Sequence, residues 1–123
     1  MKILTSCLAA VALTAGCSIM SPSPTMTSDG ALTGPNGMSL YTFDRDSAGS
    51  GKSACNGQCA ALWPPLLASD TDKASGDYAI IVRDDGKKQW AYKGKPLYRF
   101  AKDAKAGDKS GDNFNAVWHV ARP

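Results

Sequence analysis

The sequence predicts a mainly β fold, a small α+β domain in which an antiparallel sheet is built from two similar repeats and one short helix follows a disulfide. Three observations predict it. Leu40-Tyr41-Thr42-Phe43-Asp44-Arg45-Asp46 is matched by Leu97-Tyr98-Arg99-Phe100-Ala101-Lys102-Asp103, and each copy leads through a Gly/Ser/Lys loop to a tryptophan, Trp63 or Trp118. All 11 acidic residues are Asp, and with 12 Gly they favour turns over helix interiors. Short β-branched and aromatic runs are separated by Gly-containing turns, the pattern of antiparallel strands.

The chain begins with Met1-Lys2, an uncharged apolar run from Ile3 to Leu13, and Thr14-Ala15-Gly16-Cys17. That run is too short for a bilayer core, which takes roughly 20 apolar residues. Residues 1–16 therefore read as a removable signal peptide. Leu13-Thr14-Ala15-Gly16-Cys17 resembles the bacterial lipobox, with Thr14 where Leu is commoner; it implies that Cys17 is acylated and becomes the new N-terminus. The alternative is an ordinary secretory cleavage that ignores Cys17. Two or three acyl chains anchor a protein stably, where one does not. Ser18 to Gly30, with Ser21-Pro22-Ser23-Pro24 and no hydrophobic period, is expected to be a flexible tether, so that residues 17–30 join lipid to domain. Residues 31–123 suffice for one domain.

Cys7 leaves with the signal and Cys17 is taken by lipid, so Cys55 and Cys59 are the pair left to form a disulfide in an exported protein. Redox-active thiols and metal ligands are the alternatives at these two positions. Adjacent turns of a regular helix hold Cβ atoms wider apart than a disulfide prefers, so Asn56-Gly57 should bend the chain before a helix over Gln58 to Trp63. Pro64-Pro65 ends it.

Gly34-Pro35-Asn36-Gly37 and Lys93-Gly94-Lys95-Pro96 are the turns before the two aromatic strands. Tyr and Phe two apart share a strand face, so Tyr41 with Phe43 and Tyr98 with Phe100 should point into the core. Ala79 to Arg83, the turn Asp84-Asp85-Gly86-Lys87 and Lys88 to Tyr92 read as a hairpin. Residues 79–101 then form a three-strand meander, and Ala116 to Ala121 the last strand. The repeats span about 31–66 and 88–121.

The two copies of Tyr-x-Phe-x-x-Asp, with Cys55-Asn56-Gly57-Gln58-Cys59-Ala60-Ala61-Leu62-Trp63-Pro64-Pro65-Leu66, are similar to the bacterial lipoproteins defined by a repeated Tyr-x-(Phe/Trp/Tyr)-x-x-Asp motif, the secreted repeat of unknown function. The resemblance covers residues 31–123. It implies lipoprotein localisation and the repeat architecture, and carries no established activity.

Sequence candidates for chemistry are few. There is no Gly-x-Ser-x-Gly, phosphate loop or HExxH, hence no catalytic constellation and no expected cofactor. Asp46 and Asp103, once per repeat, are expected to brace their own loops by accepting backbone N–H bonds, with a weak cation site as the alternative. Asp44-Arg45-Asp46 lacks the third ligand and closing Glu of a calcium loop. His119, the single histidine, should face opposite to Trp118. With Asp44 and Asp46, or with Met20, Met26 and Met38, it makes a poor metal site. Trp63, Trp90 and Trp118 belong mostly to the core, with some expected to remain exposed as a binding surface. A net charge of +3, which drops by one on loss of Lys2, is too weak and scattered for nucleic acid. The expected protein is a non-enzymatic envelope module, lipid-anchored on the periplasmic side of the outer membrane and binding a protein or glycan partner. The alternative is a redox or metal-handling periplasmic accessory protein.

Overall fold

Asp29-Gly30 is a two-residue turn whose residues both take left-handed backbone, φ 52 and 75, the geometry a tight hairpin demands and Asp-Gly supplies. It joins β1 (Met26–Ser28) to β2 (Ala31–Thr33) in antiparallel register, Ser28 opposite Ala31. The sequence-based tether therefore ends sooner than expected, because this turn orders residues whose own composition does not. The computed structural model describes residues 23–123. The expected signal peptide, Cys17 and Met20 lie outside them.

The next elements are β3 (Tyr41–Phe43), α1 (Gln58–Leu62), β4 (Leu67–Ala68), β5 (Tyr78–Val82), β6 (Lys88–Tyr92), β7 (Lys95–Pro96) and β8 (Trp118–Val120). Helix α1 is a single turn entered through Gly57, φ 60; Cys59 lies within it, so the disulfide ties the helix itself to Cys55 rather than preceding it. β5 and β6 form the hairpin expected at Asp84–Lys87, and β7 and β4 pair with opposite ends of β6. The meander stops at Pro96, short of residue 101, because after Leu97, which still donates to Trp90, the chain leaves β6 and Tyr98 and Arg99 bond to Tyr41 and Pro64 of the first repeat. Strand β8 starts two residues later than expected, since Asn115 and Ala116 take φ 51 and 60.

β3 pairs with β8, so the first repeat's aromatic strand lies against the second repeat's tryptophan. Reciprocally, Arg99 N–H donates to Pro64 O (2.7 Å) and Ala101 N–H to Leu62 O (2.8 Å), which sets the second aromatic strand against the segment around Trp63. Tyr41 and Tyr98 exchange both backbone hydrogen bonds, 2.7 and 2.9 Å, which places an approximate two-fold axis between them. Two rings of backbone bonds repeat the relation. Leu40 donates to Leu32, Leu32 to Ala121 and Ala121 to Leu40; Leu97 donates to Trp90, Trp90 to Leu66 and Leu66 to Leu97. The two halves are thus interlocked rather than juxtaposed. One core cluster gathers Tyr41, Tyr98, Trp63, Trp118, Phe100 and Cys55, and a second gathers Leu32, Leu40, Trp90, Leu97 and Ala121.

Candidate functional site

The signature residues of the repeat meet at this axis. Period-two geometry turns Tyr41 and Tyr98 inward, both fully buried, while the tight turns Phe43–Asp46 and Phe100–Asp103 carry each Asp carboxylate back toward the core. Each tyrosine then reaches the aspartate of the other repeat. Tyr41 Oη donates to Asp103 Oδ2 and Tyr98 Oη to Asp46 Oδ2, both at 2.6 Å. The second carboxylate oxygen closes the aspartate's own loop: Asp46 Oδ1 accepts Ala54 N–H at 2.6 Å, and Asp103 Oδ1 accepts the Ser110 amide at 3.0 Å and the Ser110 hydroxyl. Burial, then the bond to a carboxylate, pushes both phenols well above the ordinary tyrosine value of 10.0. Burial also raises Asp46 above 3.8, outweighing the bonds from Tyr98 and Ala54.

Four aromatic rings stack through the middle of this brace. Phe43 lies on Trp118 at 4.1 Å, Trp118 on Trp63 at 3.9 Å and Trp63 on Phe100 at 4.2 Å. Tyr41 and Tyr98 meet Trp63 and Trp118 edge-on at 5.2 and 5.1 Å, the arrangement favoured by ring quadrupoles. Trp63, Trp90 and Trp118 are only 2%, 7% and 3% exposed, which corrects their assignment to a binding surface. Stacking across the axis removes from solvent the rings that would have made the surface.

Arg83 is a buried cation that sequence reasoning missed. It is 4% exposed, and its guanidinium donates to Ser53 Oγ (3.0 Å), Gln89 Oε1 (2.7 Å) and Cys55 O (2.6 Å). Since the Tyr98 proton goes to Asp46, the Ser53 hydroxyl donates to Tyr98 Oη at 2.6 Å. Arg83, Ser53, Tyr98 and Asp46 therefore form one chain that also grips the carbonyl of Cys55. Alternation along the run Ile81-Val82-Arg83 was the signal that put Arg83 on the inner face with Ile81.

The outward positions of the same strands make a second arrangement. Thr42 and His119 pair across β3 and β8, and His119 Nε2 meets Asp44 Oδ2 at 2.8 Å with both side chains partly exposed. Together with Tyr92, Lys93, Lys95 and Arg122 they line an open groove of about 340 Å³. Arg122 Nη1 donates to Gly30 O at 3.1 Å, and Lys93 Nζ lies 5.2 Å from the Tyr92 ring centroid. His119 and Asp44 thus come together, while Asp46, grouped with them from sequence, is held inside by Tyr98. Met26 lies in β1 and Met38 near the first turn. Among the described residues no three His, Cys, Asp or Glu side chains gather to hold a metal ion.

The family model for the secreted repeat of unknown function matches residues 24–67 and 79–122. The chain belongs to this family. No curated protein and no solved structure matches.

The secreted repeat, as matched, begins earlier in both copies than the sequence-based limits of 31 and 88. The difference is one strand each time: β1 in the first copy and β5 in the second are the outer strands of the hairpins that lead into the aromatic strands. Each unit is therefore hairpin, aromatic strand, polar loop and tryptophan segment. Its signature tyrosine and aspartate bond between units, which fixes the two copies to one another. Among the described residues no helix is long and apolar enough to cross a membrane.

Proposed function

We propose that this secreted repeat protein is a non-enzymatic binding module of the cell envelope, anchored by acyl chains on Cys17 at the periplasmic face of the outer membrane. The observation that carries the reading is the Tyr–Asp cross-brace. The buried tyrosines and aspartates of the two signatures are hydrogen-bonded to one another, so these residues act as scaffold, and the partly exposed His119 and Asp44 with Lys93, Lys95 and Arg122 line a groove open to a partner. The apolar leader and the lipobox-like Leu13-Thr14-Ala15-Gly16-Cys17 support the anchor, as does membership of a secreted family. A partner, protein or glycan, would meet that groove.

Mass spectrometry of the mature N-terminus and separation of inner and outer membranes test the anchor. Acylated Cys17 in the outer-membrane fraction, with release of a Cys17→Ser variant to the soluble fraction, is expected. An unacylated Cys17 overturns it. Photo-crosslinking from Thr42 in intact envelopes tests the binding role: a discrete adduct is expected, and its absence removes the role.

A further inference from the structure

Because the chain carries the same unit twice, each half is an internal reference for the other. Matching backbone bonds set the equivalence: Asp44 N–H donates to Val117 O as Ala101 N–H does to Leu62 O, both at 2.8 Å, and Ala121 N–H to Leu40 O as Leu66 N–H to Leu97 O. By this register Asp44, Lys95, His119 and Arg122 occupy the places held in the other half by Ala101, Met38, Pro64 and Leu67. At these four places one half carries ionisable groups and the other none, whereas Thr42, also in the groove, is matched by Arg99. The related hollow at the other end is lined by Pro24, Pro35, Leu66 and Leu67, with Asp72 its one charged residue. The fold therefore does not require these charges; only one groove has them.

The turn at the groove's edge brings a third cation, Lys93. Lys93 takes φ 49 in the Lys93-Gly94 turn, a left-handed backbone that Gly or Asn adopts far more easily. The two-residue hairpin between β6 and β7 demands that geometry, as Asp29-Gly30 does between β1 and β2. Lys93, Lys95 and Arg122 share the groove lining with one carboxylate, Asp44, which is engaged by His119. A carboxylate ligand offers two oxygens and one charge, whereas a phosphate ester offers more oxygens and up to two charges for several donors.

We propose that this groove binds a phosphate ester, with Lys93, Lys95 and Arg122 holding its oxygens and Tyr92 covering the carbon atoms beside them. The proposal deepens the binding role above and rests on it. The source is either a soluble phosphorylated compound or a phospholipid headgroup. A Cys17→Ser chain removes the acyl anchor as a separate route to membranes. Glycerol 3-phosphate is titrated into it by NMR at low ionic strength, and co-sedimentation is measured with phosphatidylglycerol/phosphatidylcholine vesicles and with phosphatidylcholine alone.

Saturable glycerol 3-phosphate binding without sedimentation supports the soluble source; binding with sedimentation on the anionic vesicles alone supports the lipid source. Lys95→Met and Arg122→Leu, which install the residues of the other half, are each expected to weaken binding about tenfold, the scale of one charge-assisted bond. Lys93→Asn should weaken binding while its melting temperature holds or rises, an outcome that a structural role for Lys93 does not give. No saturable binding, or binding unchanged in all three variants, overturns the proposal. If those variants instead abolish binding of a uronic-acid oligosaccharide while glycerol 3-phosphate is ignored, the phosphate assignment falls and the binding role stands.

Discussion

Tyr41→Phe removes one oxygen and leaves the ring in place, so the edge contact with Trp63 survives and no cavity opens at the stack. What disappears is the 2.6 Å bond to Asp103 and the acceptor for Gly111 N–H at 3.2 Å. A hydrogen bond to a charged partner contributes roughly 1.5–3 kcal/mol, and the buried amide left unpaired adds to the loss. Asp103 keeps Ser110, so we expect a destabilisation of about 2–3 kcal/mol, or roughly 8–20 °C in melting temperature for a domain near this size. Thermal and urea unfolding followed by circular dichroism measures it, with Thr42→Val on the outer face of the same strand as control. A Tyr41→Phe protein within about 0.5 kcal/mol of the native one, the range of an ordinary surface change, would refute the cross-brace as a source of stability.

The same phenols set the alkaline limit. An unfolded tyrosine loses its proton near 10.0, while the folded Tyr41 and Tyr98 hold theirs much longer. Above pH 10.0 the folded state therefore binds more protons, and the stability present below that pH is lost as pH rises. Each phenol contributes up to about 1.4 kcal/mol per pH unit, so urea midpoints should fall steeply there and Tyr41→Phe should halve the slope; equal slopes would disprove the linkage. Gly111→Ala would place a Cβ 2.7 Å from Trp63 Cη2 and 2.9 Å from Phe100, and the crowded stack should cost about 1–3 kcal/mol in the same unfolding assay. Reducing Cys55–Cys59 opens only a very short loop, worth about 2 kcal/mol in chain entropy; the reduced protein should stay folded with a lower melting point, and unfolding on reduction would show the disulfide to be essential. Arg83→Lys cannot reproduce the forked bonds to Ser53, Gln89 and Cys55, and a loss of about 2–4 kcal/mol is expected; native stability in that variant would remove Arg83 from the core network.

The sequence by itself determined what is local. Alternation placed Tyr41 and Tyr98 on inner faces, the Asp85-Gly86 step marked the β5–β6 turn, Pro64-Pro65 ended the helix, and elimination among the cysteines paired Cys55 with Cys59. Repetition announced two equal units. Asp29-Gly30 is an equally local turn signal, but the polar composition around it points to a tether, and β1 forms because the turn pairs it with β2. Tertiary structure decided which equal unit each group would join. A tyrosine bonded to its own repeat's aspartate and one bonded to the other's have the same local sequence, and only the interlocking of β3 with β8 makes Tyr41 face Asp103. That crossing also buries Trp63 and Trp118 and brings His119 to Asp44. Short-range sterics fix the face a side chain presents, but partners far apart in the chain are chosen by how whole elements pack.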